Sequence, residues 1–221
     1  MTVDEFSDAF DTLVLSSGQQ AQFDEYEKSL YLTLSQEQIV VELYNGGTGL
    51  NGFEGTEELR TYLRSLVKTT LLKETESKDV ISKSSKVFIL PSDLLFITYE
   101  SAVLDDTEAG CMNGSSIEVI PVTQDEYHKL KKNPFRNANK RRAIRLDNGL
   151  DTVEVVSKYN IKDYMIRYLS KPSPIVLANF DEVSINNVKT ITECKLDSGL
   201  HRYILERAVG LALTSRSNQN K

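Results

Sequence analysis

The spacing of apolar residues changes along this chain, and that change restricts the fold more than any other feature. Before about residue 85, apolar residues recur every three or four positions, the period of a helix buried on one face. Beyond it, short runs rich in β-branched and aromatic residues predict strands. Residues 197–214 return to the helical period. The chain is therefore predicted to be α+β, with N-terminal helices, a central and mostly antiparallel β-sheet, and a C-terminal helix.

Four helical stretches are predicted in the first third of the chain. The first has an apolar face formed by Val3, Phe6, Phe10 and Leu13. The second begins with Asp24 as its N-cap, and a third begins near Ser35, at a match to a capping box, and ends at Tyr44. The fourth begins at Thr56 and carries an unbroken apolar stripe, Leu59, Tyr62, Leu63, Leu66 and Val67.

The rest of the chain is predicted to contain mainly short strands. They lie at Val87–Leu90, Leu94–Leu104, Ile117–Val122, Ala143–Leu146, Thr152–Val156, Tyr164–Leu169 and Ile175–Leu177. A turn at Pro91-Ser92-Asp93 predicts that the first two strands form a hairpin, and Asp147-Asn148-Gly149 predicts a turn between the fourth and fifth. Thr123 opens a short helix that ends near Leu130.

These elements suggest three parts. We expect a helical assembly region at residues 1–84, a β-rich domain with the C-terminal helix at 85–214, and a frayed polar tail at 215–221. The 221 residues are also few enough to form a single domain.

Composition excludes several classes of protein. The sequence has no apolar run near the roughly 20 residues of a membrane span, and its first residues lack the pattern of a signal peptide. Two cysteines, Cys111 and Cys194, are too few for a disulfide framework or a zinc cluster. We expect both thiols to be reduced, with Cys194 acting as a small buried apolar group.

No set of residues suitable for catalysis is present at a workable spacing. The two histidines, His128 and His201, are far apart and have no metal-ligand neighbours at helical spacing. The glycine-rich loop at 46–52 lacks the lysine of a phosphate-binding loop. We therefore expect no enzymatic activity, no metal and no cofactor. A hydrolase that uses Cys111 or a histidine is the least supported alternative.

One segment is strongly basic although the chain as a whole is acidic. Residues 129–145 carry eight cations and no acid, so the rest of the chain carries −14 against a total of −6. The cations are Lys129, Lys131, Lys132, Arg136, Lys140, Arg141, Arg142 and Arg145. We expect a loop, anchored by Pro134, Phe135, Ile144 and Leu146, whose cations contact another subunit or DNA in a channel. A solvated loop and a nucleic-acid-binding site remain the alternatives.

Several phrases, in order along most of the chain, resemble virion structural proteins of crAss-like bacteriophages that infect Bacteroidetes. The first two are Phe23-Asp24-Glu25-Tyr26-Glu27-Lys28-Ser29 and Phe53-Glu54-Gly55-Thr56. Later ones are Asp125-Glu126-Tyr127, Lys132-Asn133-Pro134-Phe135-Arg136, and Arg142-Ala143-Ile144-Arg145-Leu146. The last are Pro174-Ile175-Val176-Leu177, Thr192-Glu193-Cys194-Lys195-Leu196, and Ala208-Val209-Gly210-Leu211-Ala212. Gly210 departs from the pattern, where a larger residue is usual.

The resemblance implies a head–tail connector, also called a ring or adaptor protein. Such a protein forms a closed ring in the portal–tail assembly, by resemblance a dodecamer, and DNA passes through it. Its implied partners are further copies of itself, the portal, and other connector or tail proteins, with non-specific contact to packaged DNA and none to a membrane. The implied location is the tail or portal vertex of the virion, after assembly in the cytoplasm of the bacterial host.

Overall fold

A computed structural model describes residues 1–18, 21–46, 57–75, 85–133, 135–149 and 151–219. The helices are α1 (Val3–Ser16), α2 (Glu25–Tyr44), α3 (Glu57–Leu63), α4 (Gln124–Leu130) and α5 (His201–Gln219). The strands are β1 (Val67–Leu72), β2 (Glu74–Thr75), β3 (Lys86–Ile89), β4 (Leu94–Leu104), β5 (Ser116–Pro121), β6 (Arg142–Asp147), β7 (Thr152–Val156) and β8 (Ile161–Ser170). The predicted α+β class is confirmed. The predicted cap Thr56, Pro134 and most of the glycine-rich loop lie outside the described residues.

Contacts divide the chain into two compact units. Unit 1 consists of Met1–Leu66 and Lys171–Lys221, and unit 2 consists of Val67–Ser170. Unit 1 therefore contains both ends of the chain, and its helix α5 contacts α1 and α2.

The first helix of unit 1 forms as its apolar spacing predicts. Thr2 accepts a hydrogen bond from the Glu5 backbone and Glu5 accepts one from Thr2, which completes a capping box at the N-terminus of α1. Phe6, Phe10 and Val14 are buried. The apolar face is therefore confirmed, and its end lies at Val14, because Leu13 is only half-buried.

Helix α2 is one continuous helix where two were predicted. Asp24 caps it with Glu27, as expected for the first of the two. The predicted second start at Ser35 is wrong, because the Ser35 hydroxyl donates a hydrogen bond to the backbone oxygen of Ile204 at 2.8 Å and caps nothing. Because the Ser35 hydroxyl bonds to the backbone of α5 and does not cap a new helix, the backbone hydrogen bonds of α2 continue past Ser35.

A buried polar stripe on α2 binds an extended segment of unit 1. Ser29 accepts a hydrogen bond from the Leu177 amide at 2.9 Å. Thr33 both accepts from the Ile175 amide, at 3.1 Å, and donates to its carbonyl oxygen, at 3.2 Å. The predicted strand at 175–177 forms only one bridge, between Val176 and Thr192. Side chains of α2 thus supply the partners that a neighbouring strand would otherwise provide.

The stripe predicted from Leu59 to Val67 does not form one helix. Helix α3 ends at Leu63, a single tighter helical turn covers Arg64–Leu66, and Val67 begins β1. Val67 pairs with Leu169 of β8 in an antiparallel register. Strands β1 and β2 therefore lie within residues 1–84, which the sequence pattern had indicated to be helical.

Unit 2 contains an eight-stranded sheet with the order β1-β8-β4-β5-β6-β7-β3-β2. Strands β5 and β6 are parallel, so the sheet is mixed and the expectation of a mostly antiparallel sheet is corrected. The connection through α4 and the basic segment returns the chain to the end where β5 began, which makes β6 run in the same direction.

The sheet curls until its two edges meet. Its edge strands, β1 and β2, are joined by the single residue Lys73, whose carbonyl oxygen accepts a hydrogen bond from Ile89 at 3.1 Å. One bent segment, 67–75, therefore pairs with β8 at its start and with β3 at its end.

The predicted hairpin between β3 and β4 is wrong, whereas the predicted turn between β6 and β7 is confirmed. Strand β3 pairs with β2 and β7, and β4 pairs with β5 and β8. Strands β6 and β7 are antiparallel neighbours, and Asn148 donates to Thr152 at 3.2 Å within their turn. Short apolar strands carry little information about their partners, because several pairings bury similar area.

The C-terminal helix buries one apolar face and extends beyond residue 214, where the helical period was predicted to end. Ile204, Ala208 and Ala212 are fully buried, and Leu200 is buried in the helical turn that precedes α5. Asp197 caps that turn. The helix continues to Gln219, so most of the predicted frayed tail is helical.

Candidate interaction surface

The basic segment begins on a helix that is fixed to the outer face of the sheet. Thr123 accepts a hydrogen bond from the Glu126 backbone, which starts α4 where the capping signal predicts. Tyr127 is buried in a cluster with Ile144, Leu146 and Val156. Burial and the nearby Glu154 carboxylate raise the pKa of the Tyr127 hydroxyl, so it stays protonated. The start of the segment is therefore rigidly placed.

Asparagine side chains order the loop that follows. The side-chain oxygen of Asn133 accepts from the Phe135 amide at 3.0 Å, and that of Asn139 accepts from the Arg141 amide at 2.9 Å. The Asn139 backbone amide donates to the carbonyl oxygen of Arg142 at 2.9 Å. These local bonds replace the regular pairing of a strand or a helix. The prediction of a loop is therefore confirmed for the described residues between α4 and β6, whereas Lys129 belongs to α4 and Arg142 and Arg145 belong to β6.

Seven of the eight predicted contact residues are available to a partner. Lys129, Lys131, Lys132, Arg136, Lys140 and Arg141 are exposed, and Arg142 is half-buried. Among the residues that the structure describes, no carboxylate lies within ion-pair distance of these seven side chains. Their positive charge is therefore not neutralised within the described part of the chain.

Arg145 differs from the other seven because it points to the inner face of the sheet. Its Nη1 atom lies 2.6 Å from Oε1 of Glu100, and its Nε lies 3.2 Å from Oδ1 of Asp147. Glu100 also accepts a hydrogen bond from the Tyr164 hydroxyl at 2.5 Å. Residues alternate between the two faces of a strand, and Ala143, two positions before Arg145, belongs to the inner core.

A cavity of about 420 Å³ lies beside α4 and combines an apolar floor with charged edges. Its apolar lining comes from Ile120, Val122, Leu130 and Ile144. Its charged lining comes from Lys129, Arg136, Arg142 and Glu126. The basic segment thus provides an apolar recess as well as positive charge, which suits a protein partner that presents carboxylates around an apolar side chain.

The predicted anchors of the loop behave differently from one another. Ile144 and Leu146 are buried, as expected. Phe135 was also expected to anchor the loop, and that expectation is wrong, because 86% of its side chain is exposed. An aromatic ring between basic residues is ambiguous in a sequence, since the same spacing fits a ring that faces inward or outward.

Two of the candidate catalytic residues, His201 and Cys194, form hydrogen bonds within unit 1. The Nε2–H of His201 donates to the Leu196 carbonyl oxygen at 3.2 Å, so Nδ1 accepts from the Met1 amino group at 2.8 Å. The Cys194 thiol is half-buried and donates to Gln36 at 3.3 Å, and burial raises its pKa, whereas Cys111 is exposed. In the described ranges, no three His, Cys, Asp or Glu side chains are grouped to bind a metal ion, and no helix has the length and apolar content that a membrane span needs.

Comparison with known proteins identifies the family. Residues 1–221 match the family described as phage tail ring protein 3/4. The chain belongs to this family. Ring protein 3 of Bacteroides phage crAss001 is 47% identical over 224 residues, which cover 98% of this chain and 97% of that protein. Ring protein 4/5 of the same phage is 32% identical over 227 residues, which cover 96% of this chain and 92% of that protein. The resemblance to crAss-like phage virion proteins is therefore confirmed.

Proposed function

We propose that this chain is a virion structural protein that forms an oligomeric ring in the portal–tail assembly of a crAss-like phage, and that DNA passes through the ring. The observation that carries the proposal is similarity along nearly the whole chain to two ring proteins of one phage. The similarity covers 98% and 96% of this chain, so the proposed role applies to both units. It requires binding between subunits and no catalytic step.

The distribution of charge supports assembly from identical copies. Unit 1 carries a formal charge of −7 and unit 2 carries +1, which together give the −6 of the whole chain. Unit 2 reaches +1 only because residues 129–145 contribute +8. A ring requires a heterologous interface, in which one surface of a subunit meets a different surface of the next. An acidic unit and a basic segment on the same chain provide two such surfaces.

The ring proposal is tested by imaging the purified protein and the virion. We expect closed rings of uniform copy number, a dodecamer according to the resemblance, with a central channel, and density for this chain between portal and tail. A protein that remains monomeric at all concentrations, also when mixed with the neighbouring virion proteins, would contradict the proposal. Density elsewhere in the virion would contradict the connector position alone.

Direct nucleic-acid binding is a second candidate function, favoured by the seven cations that lack an acidic partner in the described structure. Such binding would weaken steeply as salt increases, because each phosphate contact releases counterions. We expect weak binding, since the chain as a whole is acidic. Tight binding of short DNA by the monomer, with a steep salt dependence, would favour this candidate over the ring.

A further inference from the structure

Phe135 is the most exposed large apolar side chain in the described part of the chain. Its exposed fraction, 86%, exceeds the 66% of Leu15 and the 65% of Tyr203. It is not on a loosely held tip, because Asn133 accepts hydrogen bonds from the backbone amides of Phe135, Arg136 and Asn137. These bonds hold the backbone at Phe135, and an aromatic side chain has few rotatable bonds, so it loses little conformational entropy on binding. Aromatic residues are accordingly enriched at protein interfaces. We call residues 131–133, 135 and 136 the Phe135 turn.

Unit 1 contains an open groove of about 880 Å³ between α2 and α5. Val41 and Leu211 form its apolar lining, and 37% of Val41 is exposed. The lining also includes the charged residues Glu37 and Glu42 on α2 and Arg207 on α5, together with Gly210 on α5. An apolar floor with charged edges is the usual lining of a site that receives a side chain from another protein.

Gly210 has no role that the described structure explains. It lies inside α5, where glycine is a poor helix former, and its backbone is not in the left-handed region that would favour glycine. A Cβ atom added at Gly210 would meet no atom within 4 Å, so packing within the chain does not exclude a larger residue. Glycine is used where another group must approach the backbone closely. In the described structure nothing approaches Gly210, so the space over its backbone is open to a group from another molecule.

The charges of the groove and of the Phe135 turn are complementary. Arg207 pairs with Glu42 at 2.6 Å, and Glu37 accepts a hydrogen bond from the neutral Asn186 side chain at 2.8 Å. The charges of Arg207 and Glu42 cancel, so the carboxylate of Glu37 gives the lining of the groove a net charge of −1. The groove belongs to unit 1, which carries −7. The Phe135 turn carries three cations, Lys131, Lys132 and Arg136.

We propose that Phe135 of one subunit inserts into the α2/α5 groove of the next subunit, over Gly210, with the cations of its turn directed at Glu37. The inference rests on the proposed ring function and names the contact that would build it. The inserting residue is in unit 2 and the groove is in unit 1, so the contact is heterologous and can repeat around a ring.

Crosslinking two single-cysteine variants tests the contact directly. In a background with Cys111→Ser and Cys194→Ala, Lys132→Cys in the Phe135 turn and Thr214→Cys in the lining of the groove are made in separate proteins that both keep Phe135 and Gly210. The two proteins are mixed with a short bismaleimide. We expect a crosslinked dimer in the mixture and none with either variant alone. Leu71→Cys mixed with Thr214→Cys is the matched control, because Leu71 is an exposed residue of unit 2 outside the turn. A mixture that crosslinks no better than this control overturns the proposal.

Filling the groove provides an independent test that does not depend on loss of folding. Gly210→Leu should not lower the melting temperature and should raise it slightly, because the added side chain enters open space and leucine is a better helix former than glycine. It should nevertheless abolish rings, as should Phe135→Ala. Tyr203→Leu on the exposed face of α5 and Leu71→Ala are the controls, and both should form rings. Normal rings from Gly210→Leu and Phe135→Ala would overturn the inserted contact.

The outcomes separate this inference from the proposed function. If the wild type forms rings and the two variants do so equally well, the Phe135 contact is wrong and the ring function stands. If the wild type forms no rings under any condition, the ring function itself fails. Phe135→Ala could instead form normal protein rings but lose affinity for single-stranded DNA. That result would mean that the Phe135 side chain stacks on bases, and it would overturn the proposed contact.

Discussion

Arg145 Nη1 lies 2.6 Å from Glu100 Oε1 on the inner face of the sheet in unit 2, and both side chains are largely buried. Burial raises the pKa of Glu100, and the guanidinium of Arg145 and the hydroxyl of Tyr164 oppose that rise. Burial, and then the negative charge of Glu100, raise the pKa of the Tyr164 hydroxyl. One member of the basic segment therefore stabilises the sheet, whereas the other seven face solvent or the cavity beside α4.

Replacing Arg145 with Gln should destabilise unit 2 strongly. The substitution leaves Glu100 buried without its cation, and breaking a buried pair in this way typically costs about 3 to 5 kcal/mol. Chemical denaturation followed by circular dichroism measures the change. Arg141→Gln is the matched control, because Arg141 is exposed, and it should stay within about 0.5 kcal/mol of the wild type. Equal effects of the two substitutions would show that the Glu100 contact does not stabilise the fold.

Removing three exposed charges should impair assembly without unfolding the protein. Arg136, Arg141 and Arg142 changed together to Gln should leave the melting temperature near that of the wild type and reduce the fraction of subunits in rings, measured by mass photometry. The reason is loss of attraction to the acidic unit of the next subunit. A control with Lys158, Lys162 and Arg167 changed to Gln removes the same charge from other exposed positions of unit 2.

Two results of the charge experiment would change the role assigned to the basic segment. Identical assembly defects in the two triple variants would mean that only net charge matters. Normal assembly of the Arg136, Arg141 and Arg142 variant, combined with loss of DNA retention, would assign the basic segment to the channel wall.

Changing Thr33 to Val should destabilise unit 1. The Thr33 hydroxyl both donates to and accepts from the backbone of Ile175, and valine has the same shape but neither function. A buried amide left without a partner costs about 1 to 3 kcal/mol, measurable by urea denaturation. Thr12→Val serves as the control, because the Thr12 hydroxyl is exposed and bonds only to its own helix. A Thr33→Val protein as stable as this control would contradict the role of the α2 polar stripe.

Unit 1 should lose stability as pH falls below about 6.5, the ordinary pKa of histidine. Burial, and then the nearby N-terminal ammonium, lower the pKa of His201, so the folded state prefers the neutral ring. Between that lowered pKa and 6.5 the unfolded chain binds more protons than the folded one, so stability decreases with falling pH.

Melting temperatures at about pH 7.5 and about pH 5.5 test this prediction. His201→Gln should show a smaller difference between the two values than the wild type, since glutamine does not titrate. His128→Gln, at an exposed position on α4, should retain the full difference. The prediction fails if His201→Gln keeps the pH dependence of the wild type.

The sequence determined the features that depend on neighbouring residues. The face of α1, the caps Asp24 and Thr123, the loop character of the basic segment and the turn before β7 were all predictable, because periodicity and capping act over a few positions. The family was also recognisable, because several short segments that resemble it occur in the same order along the chain. The charge contrast between residues 129–145 and the rest follows directly from composition.

Only the tertiary structure decided which residues meet across the chain. Val67 fits a helical stripe but begins β1, because β8 provides a backbone partner about a hundred residues away. Arg145 was expected to be available to a partner, but it is buried against Glu100. Phe135 was expected to be buried as an anchor, but it is exposed. Local spacing fixes the period of a segment, but long-range pairing and burial decide which face of that segment is covered.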